Sequence, residues 1–188
     1  MTGFLILIAG VALWWLAHLF KRLAPGPRAA LGDVGKPVVA GALVAAVVLM
    51  VLGYRLADYT AVYFTPDWMK HVNNLLVLVG FYVFGIGMAK GALSQKLRHP
   101  MLLGTAIWAV GHLLVRGDLA ALILFGGIGL WALVEIVVID ARTPGWRPPQ
   151  RKSGPRDLVA IPIVLVTYAV VGVIHGWLGP WPFGGGGM

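Results

Sequence analysis

Cysteine is absent from the 188 residues, which excludes disulfides, thiolate metal ligands and cysteine nucleophiles. Charge is scarce as well: 12% of the residues are Asp, Glu, Lys or Arg, against 59% hydrophobic. A soluble domain carries roughly 25% charged residues, so this chain cannot clothe a compact surface for water. Runs such as 38–52 lack the apolar–polar alternation of a membrane-spanning strand. There is no glycine-rich nucleotide loop, no two-metal carboxylate cluster and no internal repeat. What remains is a chain of mean hydropathy +0.85, whose outside must face lipid. In lipid the backbone has to satisfy its own amides, which favours helices. The expected fold class is all-α, a polytopic integral membrane helical bundle.

About six apolar segments carry that expectation, at 3–20, 37–57, 71–90, 99–115, 119–139 and 158–178. Most approach the roughly 20 residues that cross a bilayer core; the fourth is short. Only Arg116, Gly117 and Asp118 separate the fourth from the fifth, so those two are expected to form an antiparallel hairpin. The domain reading is one transmembrane domain over 1–180, with a core at 1–140. A peripheral helix at 158–178 lies beyond the Pro- and Arg-rich connection, and a flexible tail runs over 181–188.

Basic residues orient the bundle. The loops after segments one, three and five hold twelve of the fifteen Lys and Arg, and the opposite side holds Arg55, Lys70 and Arg116. Short loops rich in Lys and Arg stay in the cytoplasm, which predicts a multi-pass protein of the bacterial inner (cytoplasmic) membrane, N-out and C-out. The first segment lacks the basic n-region of a cleaved signal peptide and is kept in the mature protein. The net charge of +8 comes with no basic helix or zinc motif, so the expected partner is the lipid bilayer and not nucleic acid.

Polar groups inside such segments are costly and draw attention. His18 follows Trp14 and Trp15 late in the first segment. His71 opens the third, ahead of Asn73 and Asn74. His112 follows Trp108 and Gly111, and His175 lies beside Trp177. His99 precedes Pro100, a good first residue of a helix. A neutral imidazole is the common axial ligand of haem b, and Gly111 beside His112 would let a flat macrocycle approach the backbone. Structural hydrogen bonding is the competing role for each histidine. Glu135 is expected in a salt bridge with Arg98 or Lys90, with a proton relay as the alternative. Asn73 and Asn74 are expected to tie helices together, and Gly126, Gly127 and Gly129 to permit close packing. Trp68, Trp177 and Trp181 suit the membrane interface.

The densest motifs are Trp68-Met69-Lys70-His71-Val72-Asn73-Asn74-Leu75-Leu76, Leu97-Arg98-His99-Pro100-Met101, Trp108-Ala109-Val110-Gly111-His112-Leu113 and Gly117-Asp118-Leu119-Ala120. In these the chain resembles the NnrU family of bacterial inner-membrane proteins, which also includes plant 15-cis-zeta-carotene isomerase. The resemblance covers about three-quarters of the chain and is strongest over 68–140. It implies haem b held by His18 and His112 as axial ligands of the iron. The plant enzyme has a cysteine where this chain has Ala109, so thiolate exchange is excluded. The orientation above sets His18 near the inner boundary and His112 near the outer one, which makes His71 with His112 the geometric rival pair.

Two functional readings follow, and no catalytic side chain is assigned in either. The first is a haem-b membrane protein with redox or isomerase-like chemistry on an apolar polyene or a small gaseous substrate. It would be linked to nitrite and nitric oxide respiration (denitrification), with a possible redox-protein partner. The second is a non-enzymatic accessory or assembly protein for denitrification enzymes. A transporter ranks third, because the chain is short and shows no inverted repeat.

Overall fold

The computed structural model describes residues 1–183, and every apolar segment in it is a helix. They are α1 Thr2–Leu23, α2 Gly35–Leu56, α3 Met69–Ala89, α4 Pro100–Val115, α5 Leu119–Arg142 and α6 Arg156–Leu178. Five are long and apolar enough to cross a membrane; α4, with 16 residues, is shorter. At 1.5 Å per residue α4 spans roughly 24 Å, less than the hydrocarbon thickness. Pro100 is its first residue, as expected of a residue without an N–H. Among the described residues there is no strand, only an isolated bridge between Ala61 and Asp118.

The helices turn large apolar side chains outward. Leu16 is 68% exposed, Val44 66%, Val137 66% and Val166 64%. Each belongs to a different spanning helix, so the apolar surface is general, and lipid is the solvent that covers it at no cost.

The chain divides into two compact units, one of Met1–Phe64 with Arg116–Pro144, the other of Thr65–Val115 with the chain from Gly145 onward. The first unit is built on α1 and α2. Leu7 is fully buried against Gly53, and a Cβ on Gly10 would sit 2.7 Å from the Met50 backbone nitrogen. Only a missing side chain lets the two backbones come so close, the contact that holds helices together where lipid offers no hydrophobic drive. The Met1 amino group meets the Asp58 carboxylate at 3.2 Å, so α1 and α2 run antiparallel.

α5 packs on α1 in the same unit. It widens to a π-helical turn over Leu122–Gly126, and the Trp15 indole donates to the Gly127 carbonyl just beyond it, at 3.0 Å. Its start is fixed by Asp118, whose carboxylate accepts from the Ala121 amide at 2.9 Å. The Gly117 carbonyl before it accepts from Val62 and Tyr63, and the Leu119 amide donates to Thr60. Burial, and then the Asp118 charge, push the Tyr63 phenol above its ordinary value. It stays protonated and donates to the Arg116 carbonyl at 2.9 Å.

The second unit is built on α3 and α4. A Cβ on Gly80 would lie 2.9 Å from the Gly104 carbonyl oxygen. α6 packs on α3, with the Tyr168 hydroxyl donating to the Asn74 carbonyl at 3.2 Å and the Tyr82 hydroxyl to the Asp157 carbonyl at 3.3 Å. The Asp157 carboxylate accepts from the amides of Ala92 and Leu93 at 2.7 and 3.2 Å, which anchors the start of α6 to the loop after α3.

Within its own unit α4 packs along α3, and within the other α5 packs along α1. The turn before α5 is zipped to 60–63. α6 shares polar contacts with α3. Of the expected tail, Trp181 and Phe183 fold back over Gly176 and Gly172, and Asn74 donates to the Pro182 carbonyl at 2.7 Å. Residues 184–188 lie outside the described residues.

Candidate functional site

His18 sits one turn before the end of α1, where its ring packs against two indoles in a triangular aromatic cluster. The Trp14 ring centroid is 4.3 Å away and the Trp131 centroid 4.4 Å, and the two indoles meet edge to face at 5.3 Å. The sequence places Trp14 four residues before His18, hence on the same helix face; α5 brings Trp131. His18 Nδ1 lies 3.0 Å from the Trp14 carbonyl oxygen. A carbonyl only accepts, so Nδ1 carries the proton and Nε2 the lone pair. That is the tautomer a metal-ligating histidine needs, held by the outer hydrogen bond that usually orients one.

Beside this cluster, Glu135 is 4% exposed and its Oε1 meets Arg22 Nη1 at 3.4 Å. Arg22 follows His18 by one turn of α1, and Glu135 follows Trp131 by one turn of α5. The partner is therefore Arg22, in place of the expected Arg98 or Lys90. Three polar atoms in this cluster are buried with no hydrogen-bond partner among the described residues: Trp14 Nε1, Trp131 Nε1 and Glu135 Oε2. Leaving such a group unsatisfied costs about 1–3 kcal/mol. Two donors and one acceptor gathered around an imidazole are suited to a polar guest.

His112 repeats the local arrangement in the second unit. Trp108 precedes it by four residues, the rings lie 4.8 Å apart, and His112 Nδ1 is 3.0 Å from the Trp108 carbonyl oxygen. The same reasoning puts the lone pair on Nε2. Gly111, suggested by the sequence as an approach for a flat macrocycle, instead faces α3: a Cβ there would lie 3.2 Å from Asn73 Oδ1. Ala109 is 1% exposed in the same unit.

His71 lies in the first turn of α3. Gly80 opposite Gly104 and Asn73 opposite Gly111 set an antiparallel register that brings His71 level with His112. Its side chain is exposed, however, whereas His112 is half-buried. His175 is exposed and its Nδ1 bonds the Pro180 carbonyl at 2.8 Å, a local role. Asn73 donates to the Asn74 side chain at 3.0 Å within α3, the Asn74 side chain reaches the segment after α6, and its backbone carbonyl accepts from Tyr168 of α6. Asn73 Oδ1 is buried without a partner among the described residues. No group of three His, Asp or Glu side chains suited to a bare metal ion occurs among the described residues.

The sequence points to the histidines but not to Trp131 beside His18, the Arg22 partner or the orphaned indoles. The available signal was the repeated Trp-x-x-x-His spacing at 14–18 and 108–112.

Apolar helices with outward-facing aliphatic side chains, interrupted by half-buried histidines and a buried carboxylate, define a multi-pass helical membrane protein. The chain belongs to the NnrU protein family, whose profile matches residues 6–182. No curated protein and no solved structure matches it.

Proposed function

We propose that this chain is a haem-b-binding membrane protein with redox or isomerase-like chemistry on an apolar or small substrate, linked to nitrite and nitric oxide respiration. The reading rests above all on the repeated histidine geometry. His18 and His112 each have Nδ1 bonded at 3.0 Å to the carbonyl four residues earlier, which directs the lone pair of Nε2 away from the helix backbone. Both histidines are half-buried beside an indole in an apolar helix, where water competes poorly for iron. The residues fit the group. His112 and His18 would each offer Nε2 to the iron, and Trp14 and Trp131 would offer unpartnered donors of the kind that meet carboxylates.

A bound haem would supply one-electron exchange or a transient electronic interaction with a polyene. The chain's own residues would hold the imidazole tautomer, exclude water and give the Arg22–Glu135 pair a fixed place beside His18. Membership of the family and the basic-loop bias support placement in the bacterial inner membrane with both termini external.

The test is the absorption spectrum of detergent-purified protein expressed with haem supplied, oxidised and dithionite-reduced, with a pyridine haemochrome assay. Wild type is expected to show one haem b per chain. His112→Ala should remove the Soret band or convert it to a weakened five-coordinate form. His18→Ala should do the same if the family pair binds iron, and His71→Ala if the rival pair does; His99→Ala should leave the band nearly unchanged. A wild type without a Soret band or haemochrome would sink the proposal and leave the accessory or assembly role for denitrification enzymes.

A further inference from the structure

The second unit carries an open cavity of about 530 Å3 that the haem reading does not use. It is lined by Lys90, Gln150, Arg151, Lys152, Ser153 and Arg156. Four of these six side chains are cationic and none is acidic. They come from two stretches far apart in sequence, joined where the Lys152 amide donates to the Lys90 carbonyl at 3.1 Å. Lys90 adopts the left-handed conformation, with φ of 54°, costly for any residue but glycine and tolerated best by asparagine. Neither the Met1–Asp58 nor the Arg22–Glu135 pair involves these four cations, and Arg156 Nε donates to the Ser153 carbonyl at 3.4 Å. The neighbouring Asp157 carboxylate is engaged with the amides of Ala92 and Leu93.

Two further features favour an anion. The cavity opens at the first residue of α6, a 23-residue helix, whose N-terminal amides and dipole add positive potential. Lys90 directly follows Ala89, the last residue of a spanning helix, so the cavity lies at the level of lipid headgroups. Basic-loop bias alone would scatter its cations over the surface. Here they converge on a single recess with two hydrogen-bonding side chains.

We infer that this recess binds a phosphate-bearing anion at the membrane interface, either the headgroup of an acidic phospholipid or a soluble phosphate. Lys90, Arg151, Lys152 and Arg156 neutralise it, and Gln150 and Ser153 offer hydrogen bonds to its oxygens.

The test uses the full chain, delipidated in a neutral detergent and titrated by native mass spectrometry. The probes are phosphatidylglycerol, phosphatidylcholine and inorganic pyrophosphate. One phosphatidylglycerol or one pyrophosphate is expected to bind, with phosphatidylcholine far weaker. Each cation near an anionic group contributes about fivefold, so K90N/R156Q should weaken binding roughly 25-fold, and R151Q/K152Q similarly. K90N keeps the left-handed backbone while removing the charge. K36Q/R142Q, which removes two cations outside the recess, should bind like wild type. Elution and helical circular dichroism confirm that each variant is folded. Binding of phosphatidylglycerol alone assigns a lipid, and binding of pyrophosphate alone a soluble ligand. No binding of either, or equal losses in K36Q/R142Q, overturns the inference.

Discussion

Arg22 Nη1 lies 3.4 Å from Glu135 Oε1 and joins the last turn of α1 to α5. The carboxylate is buried and the guanidinium 30% exposed, so the arginine side chain reaches the surface while neutralising a charge that lipid would not tolerate alone. Arg22→Gln should destabilise the protein by roughly 2–3 kcal/mol, below the full value for a buried pair because Arg22 retains some exposure. Glu135→Gln should cost less, and the double variant should recover much of the Arg22→Gln loss. Thermal midpoints in detergent check this. A double variant as unstable as the sum of the singles would show that the pair is not coupled.

Glycine positions separate contact from open surface. Gly104→Ala places a methyl 2.5 Å from the Gly80 carbonyl oxygen and should push α3 and α4 apart at a cost of about 1–3 kcal/mol. Gly41, inside α2, has nothing within reach of a Cβ; Gly41→Ala should be neutral or raise stability by about 0.5–1 kcal/mol. Opposite signs in the two thermal shifts are expected. Equal shifts would mean that the Gly80–Gly104 approach does not hold the unit together.

The connection before α5 should be intolerant of insertion. The Gly117 carbonyl accepts from two amides of the segment 62–63, and a Cβ on Gly117 would collide with Tyr63. Four residues inserted after Gly117 should lower the folded yield in detergent sharply. The same insertion after Gly145, which has no neighbour near a Cβ, should be tolerated. Asp118→Ala, losing the cap on Ala121, should cost about 1 kcal/mol by itself.

Orientation can be read with reporter fusions. Fusions after Ala24 and after Thr143 should report the cytoplasm, and one after Tyr59 the outside, following the basic-loop bias. The antiparallel α1 and α2, with the Met1 amino group on Asp58, require Tyr59 and the N-terminus to share a side. An external signal after Thr143 would overturn this orientation.

The helices themselves were legible in the residues. Their lengths, apolar content and the start of α4 at Pro100 follow from local composition, because a segment in lipid has to satisfy its own amides whatever its neighbours are. The histidines were legible as candidates for the same reason: a polar ring in such a segment needs a partner. Which helix packs on which was not. α4 packs closely on α3, where Gly80 and Gly104 let the two backbones approach. Glu135 looked ready for any nearby cation, and only the packing of α5 on α1 selected Arg22 and brought Trp131 over His18. Sequence by itself determined the class of solvent and the secondary structure, which depend on local chemistry. The tertiary structure decided the partners, because in lipid helix pairing turns on shape complementarity between surfaces drawn from distant parts of the chain.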